Sequence, residues 1–337
     1  MFKLRLPSYY LVIATLITAV VVCYATHKIT KDLTLKSATA SYIPTTQDCK
    51  VDRRRLSGYT FVSPLLYVDR ECESPELVPL KESVINAINR AKNEGLVSSA
   101  SVYVRSLNKP LWTAVDAENK YHPASLAKVP VLITYMRMVE GNNQVLNQKI
   151  AFAKQDTALP HEHYTSKNIQ PGNSYTVKDL LHYMIAYSDN NATLLLMQHM
   201  NIDVYNKLFT DLGLAVPSND YNQFQLSVKE YSLFLRVLYN ATYLSVPASE
   251  YALELLAECD FKEGMLKLLP STVKVAHKFG ESGYGTTYEL HESGIVYAGV
   301  TPYLITIMTT GSDLSKQATV ISNISAQVYN AMTGSAL

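Results

Sequence analysis

The chain has 337 residues, 47% of them hydrophobic and 18% charged, with a formal net charge of +1. That length and balance fit one globular domain of about 250 residues with additional sequence around it. The near-neutral charge leaves no electrostatic case for nucleic acid as a partner, and no internal repeat or low-complexity tract divides the chain.

Residues 6–26 carry no charge; their apolar heart runs from Tyr10 to Cys23, with Lys3 and Arg5 ahead of it. About 20 such residues cross a bilayer, so residues 1–26 read as an uncleaved signal-anchor. The alternative is a signal peptide cut near Ala25. Either places the remainder of the chain outside the cytoplasm, held at the cell membrane or secreted. Residues 27–75 read as a stalk, rich in Ser and Thr at first, that becomes a packed extension around residues 59–67. The extension carries Arg53, Arg54 and Arg55, a solvated basic cluster. Cys49 and Cys72 flank it, and an oxidising compartment would allow them to bridge. Cys259, inside a helical pattern, reads as a small buried hydrophobe.

Residues 76–337 form the third region. An amphipathic helix is predicted over 77–93, ended by Gly95, then strands over 100–107 and 111–116 across the turn Asn108-Lys109-Pro110. An extended segment gives way at Ser125 to an apolar helical run, 129–139. Loop follows over 164–173. His161-Glu162-His163 invites a metal reading, but alternate residues of an extended segment point apart and no third ligand stands at a metal-site spacing. No metal or other cofactor is expected. A helix starts at Thr176, with Asp179 as its capping partner, and stops at Tyr187; a second spans 191–200. Helices over 226–238 and 249–259 precede strands over 272–280, 295–298 and 303–310. A closing helix, 313–332, carries Leu314, Ile321, Ile324 and Val328 on one stripe. This order makes an α+β architecture: an antiparallel sheet of about five strands flanked by helices, with a helical lobe and a cleft between them.

Three short motifs fall around that cleft. Ser125-Leu126-Ala127-Lys128 puts a hydroxyl and an amine three residues apart, hence on one face of a helix. A desolvated, neutral lysine there can take the serine's proton, and the unpaired N–H groups of a helix start suit a developing oxyanion. Alone, S-x-x-K is a serine cap and a first-turn lysine. Ser188-Asp189-Asn190, alone a turn and helix cap, follows it. Lys278-Phe279-Gly280, alone an edge strand with a guarding lysine, comes third. S-x-x-K, S-D-N and K-T-G in that order mark class A β-lactamases and penicillin-binding proteins. From about residue 77 to 332 the chain resembles that serine hydrolase superfamily. It departs at Phe279, where Thr or Ser is usual.

The resemblance implies a β-lactamase/transpeptidase-like fold and an acyl-enzyme mechanism. Ser125 would be the nucleophile, Lys128 its general base and Ser188 the proton carrier to the leaving nitrogen. Asn190 would bind the substrate amide and Lys278 its carboxylate. The N–H groups of Ser125 and of Glu281, just after Gly280, would form the oxyanion hole. Class A enzymes also carry a deacylating glutamate in an E-x-x-L-N setting. Here Glu230-Tyr231-Ser232-Leu233-Phe234 lacks the Asn and lies in a helical pattern, and the interval between second and third motifs is short for the class. The expectation is therefore an extracytoplasmic serine hydrolase or acyl-transferase of the D,D-peptidase type, acting on peptidoglycan-type peptides or related amides, with a peptide or β-lactam-like small molecule as substrate. The alternatives are a class A-like β-lactamase and a catalytically inactive, anchored binding module of the same fold. Nothing in the sequence sets the oligomeric state.

Overall fold

Antiparallel strand pairing organises the molecule around one sheet. The computed structural model describes residues 49–154, 163–217 and 224–334. In chain order the strands are β1 (Val51–Arg55), β2 (Leu65–Arg70), β3 (Ser99–Ser106), β4 (Trp112–Val115), β5 (Lys149–Phe152), β6 (Asn173–Thr176), β7 (Lys274–Tyr284), β8 (Thr287–Tyr297) and β9 (Tyr303–Gly311). The α-helices are α1 (Val78–Asn93), α2 (Lys128–Gly141), α3 (Val177–Ala186), α4 (Asn190–His199), α5 (Ile202–Leu212), α6 (Val228–Tyr239), α7 (Val246–Ala257) and α8 (Leu314–Gly334). The main sheet has the five antiparallel strands the sequence implies, in the order β4-β3-β9-β8-β7, while β1/β2 and β5/β6 form separate two-stranded ribbons.

The sheet divides two apolar clusters. On one face Val275, Phe279, Leu290 and Ile307 meet Leu80, Val84 and Ile88 of α1 and Ile321, Ile324 and Val328 of α8. On the other, Ala276, Ile295, Leu304 and Met308 meet Leu132 of α2, Leu181 and Met184 of α3 and Phe234 of α6. Each fully buried side chain of this size contributes about 1.5–3 kcal/mol, so both faces have strong reasons to stay covered. The alternation read along 272–280 holds: Val275 and Phe279 face the terminal helices, and Ala276 faces the helical lobe. β7 is an edge strand, which leaves one side of its backbone to border the lobe.

Helix ends follow local chemistry. Thr176 and Asp179 make the expected reciprocal capping box at the start of α3. Ser227 and Glu230 make a second one at α6. α7 begins earlier than its apolar pattern, at Val246, because Pro247 suits a first helical turn. The sequence reading leaves β1, β2, β5, β6, α5 and the first half of β8 unassigned.

The hairpin β1/β2 is tied to the domain, but of the stretch 59–67 expected to pack only Leu66 and Tyr67 are buried, while Tyr59, Phe61, Val62 and Leu65 are exposed. Leu66 and Tyr67 are buried in the lobe-side cluster, the Tyr67 hydroxyl donates to Leu212 O at 3.1 Å, and Trp112 Nε1 donates to Arg70 O at 3.0 Å. Beneath it Asp69 pairs with Arg105 at 2.8 Å, and the Arg236 guanidinium lies 5.0 Å from the Tyr67 ring centre. Cys49 and Cys72 are both disulfide-bonded, whereas Cys259 is a buried free thiol. Among the described residues no helix is long and apolar enough to cross a membrane. The apolar stretch 6–26 lies outside the described residues, as do His161 and Glu162.

Candidate active site

A 3-10 turn, Ala124–Ala127, delivers Ser125 to the start of α2. Ala124 just before it has a φ of 49°, in the left-handed region, and its N–H donates to His122 Nδ1 at 3.0 Å. The Tyr231 hydroxyl donates to Leu126 O at 3.0 Å, pinning the turn to α6. His122 must be neutral to accept that bond, and burial lowers its pKa to about 4.

Lys128, one turn on, is 3% exposed. Its Nζ lies 2.7 Å from Ser125 Oγ, 3.0 Å from Ser188 Oγ, 2.7 Å from Ser188 O and 2.8 Å from Asn190 Oδ1. Lys278 approaches from β7 and donates to Ser188 Oγ at 2.9 Å. The two lysines thus bracket Ser188, and the fold brings Ser125, Lys128, Ser188, Asn190 and Lys278 into one hydrogen-bonded cluster.

The turn holding Ser188 lies between α3 and α4 and is backed by Asp189. That carboxylate accepts from Asn191 N at 2.8 Å and, across the chain, from Ile169 N at 2.7 Å. Burial pushes the Asp189 carboxyl up, against backbone N–H bonds and the Lys128 charge that pull it down. Ser188 itself has a φ of 58°. A non-glycine residue held there costs on the order of 1–3 kcal/mol, which the Asp189 bonds offset.

Gly280 explains how β7 comes so close. A Cβ at Gly280 would lie 2.8 Å from Leu126 N and 3.0 Å from Ser125 N, so any other residue would push the strand off the turn. Glu281 follows, its carboxylate accepting from Tyr164 N at 2.7 Å. Phe279 is fully buried, stacked on Phe261 with ring centres 4.4 Å apart, and Lys278 Nζ sits 3.9 Å from its ring centre. An aromatic face stands where a hydroxyl is usual.

Under β7 lies a cluster that sequence reasoning missed. His277 Nδ1 is 2.7 Å from Glu292 Oε1, both fully buried, and Glu292 Oε2 accepts from Met265 N at 2.6 Å. Burial pushes His277 down, but Cys259 and Glu292 carry it up to about 10. Burial likewise pushes the Cys259 thiol up, yet His277 and Lys278 bring it to about 7. Cys259 is buried, as its helical setting implied. His277, next to Lys278, was the available signal; Glu292 had none. Tyr231 and Ile169 were also invisible, since their contacts exist only in the fold. Glu230, weighed as a deacylating base, caps α6 through Ser227 N at 2.8 Å and pairs with Lys120. Among the described residues no group of three or more His, Cys, Asp or Glu could hold a metal ion.

A five-stranded antiparallel sheet, a helical lobe and a buried Ser–Lys–Ser–Lys cluster at their seam define the β-lactamase-like class of serine hydrolases. The chain belongs to the Beta-lactamase enzyme family, whose profile matches residues 80–332. Solved structures similar to it include PBP-A, at 19% identity over 77% of this chain and 97% of that one, with a TM-score of 0.63. A PBP-A mutant captured as its acyl-enzyme complex with penicillin G matches equally well. A β-lactamase from Chitinophaga pinensis is 20% identical over 75% of this chain and 99% of its own, TM-score 0.66. A class A β-lactamase from Bacteroides cellulosilyticus gives 19%, 76%, 99% and 0.64. At these identities the likeness is one of fold. No curated protein matches the sequence.

Proposed function

We propose that the chain is an extracytoplasmic serine acyl-enzyme hydrolase or acyl-transferase acting on peptide amides of the peptidoglycan type. The observation that carries this reading is Lys128 Nζ within 2.7 Å of Ser125 Oγ and 3.0 Å of Ser188 Oγ. Lys128, once it has shed its own proton, takes the Ser125 proton as Oγ attacks the substrate carbonyl. The oxyanion settles on the N–H groups of Ser125 and Glu281. Ser188 then gives its proton to the leaving nitrogen and is restored through Lys128, while Lys278 keeps its hydroxyl oriented. Asn190 binds the substrate amide. The acyl group finally passes to water or to an acceptor amine.

Deacylation separates this reading from that of a β-lactamase. Glu230 is held by α6 and Lys120, so it has no part in activating water. Steady-state hydrolysis of a chromogenic cephalosporin should be slow or negligible, and unchanged in Glu230→Gln. Release of D-alanine from a D-alanyl-D-alanine peptide should be measurable and lost in Ser125→Ala. Rapid cephalosporin turnover that vanishes in Glu230→Gln would overturn the assignment. A second reading, an inactive anchored binding module, draws on one observation: the buried Phe279 ring where substrate carboxylates usually meet a hydroxyl. Labelling of Ser125 by an acylating probe distinguishes the two.

A further inference from the structure

We propose that the tip and outward face of the β1/β2 hairpin dock onto an anionic lipid surface. Phe61 is 97% exposed and Val62 60%, and Leu65 and Val68 are also exposed. Solitary exposed apolar residues are ordinary, but these four lie within eight positions of one hairpin, including an aromatic at its tip. Packing against the other described residues does not account for them. The hairpin's inward side is already seated through Leu66, Tyr67 and Asp69.

Charge accompanies the apolar tip. Register places Arg53 opposite Val68, Arg55 opposite Leu65 and Val51 opposite Arg70. Arg53, Arg55 and Arg70 are therefore on the exposed side with Leu65 and Val68, while Arg54 turns inward and donates to Asp211 O at 2.7 Å. Arg55 also donates to Ser63 O, which carries its guanidinium back beside Val62. Of the nearby acids, Asp52 pairs across from Asp69 on the other side of the ribbon, and exposed Glu71 follows β2. An aromatic and aliphatic tip rimmed by arginines suits the interface of an anionic bilayer: rings settle at headgroup depth and arginines meet phosphates.

The length of the chain permits this. Residues 27–50 separate the apolar stretch 6–26 from β1, and an extended segment of that size spans up to roughly 80 Å. The proposal rests on the reading of residues 6–26 as a membrane anchor.

The test uses the full-length chain in vesicles of phosphatidylcholine and phosphatidylglycerol, with Phe61→Trp as reporter. The sole native tryptophan, Trp112, is buried and gives a constant background. The added indole should emit to the blue and be quenched by lipids brominated near the headgroup. Arg53→Glu with Arg55→Glu should weaken that docking by about fivefold or more for each arginine replaced. Flotation separates the two ideas. A chain that floats with vesicles while its indole emits as in water, unquenched, overturns hairpin docking and leaves the anchor standing. A chain that stays in the aqueous phase overturns both. A blue shift without bromine quenching that grows with protein concentration means a second copy covers the tip, and likewise overturns the lipid proposal.

Discussion

Phe279 illustrates how one side chain can be both a departure from a motif and a structural necessity. Its ring is stacked on Phe261 and crossed by Tyr164 at 6.2 Å, so restoring the usual residue does not simply restore a hydroxyl. Phe279→Thr should lower stability by about 3–5 kcal/mol, as large-to-small core changes do, read as a fall in denaturant midpoint. An unchanged midpoint would mean the ring is not a core element. Lys128→Ala should reduce the acylation rate by about 10²–10⁴, the usual worth of a positioned base, measured by stopped-flow with a fluorescent penicillin. His122 gives a pH signature. Its folded pKa is lowered to about 4 from an ordinary 6.5, so the unfolded chain binds the extra proton first. Stability is then fully present above about pH 6.5 and declines as pH falls towards 4. Urea unfolding at several acidic pH values should show that decline, and it should flatten in His122→Gln. The residues carrying the proposed chemistry were legible because Ser125, Lys128, Ser188 and Lys278 are spaced as a motif. Their support was not: Tyr231, Ile169 and Glu292 reach the site only through tertiary contacts.

Among elements, β7 has the most demanding position, since an edge strand must hold Lys278 and Gly280 against the Ser125 turn. The His277–Glu292 pair beneath it anchors β7 to β8 at the register where His277 faces Gly294 and Phe279 faces Glu292. Breaking such a buried pair leaves one charge uncompensated, so Glu292→Gln should cost about 3–5 kcal/mol in chemical denaturation. The His277 contribution has the opposite pH sense to that of His122. Its folded pKa is raised to about 10, so its stabilisation is complete below about pH 6.5 and is lost as pH rises through 10. An alkaline decline that persists unchanged in Glu292→Gln would remove the pair from this role. Long amphipathic elements such as α1 and α8 were readable from their stripes. β5 and β6, four residues each, are too short to carry a period. α5 did have its signals, an Asn201 cap, a left-handed Gly213 and a stripe of Tyr205, Leu208 and Leu212, and the sequence reading passed over them. The first half of β8 reads as polar because the bonds that use its polar side chains, Ser282 to Glu289 and His291 to the His122 carbonyl, exist only in the fold.

Across the full fold, two apolar clusters share one sheet, and the candidate site lies where the edge strand meets the helical lobe. In the proposed mechanism acylation would draw on both sides of that seam, with Ser125, Lys128 and Ser188 from the lobe and Lys278 and Glu281 from the sheet. Deacylation would need an activated water, and Glu230 is committed to its helix. A lasting acyl group on Ser125 is therefore the expected signature. It is read by intact mass over time after exposure to penicillin, for the native chain, Ser125→Ala and Lys128→Ala. One persistent adduct on the native chain, absent from Ser125→Ala and severely slowed in Lys128→Ala, is the expected result. An adduct that forms equally on Ser125→Ala, or no adduct and no turnover at any concentration, would contradict it.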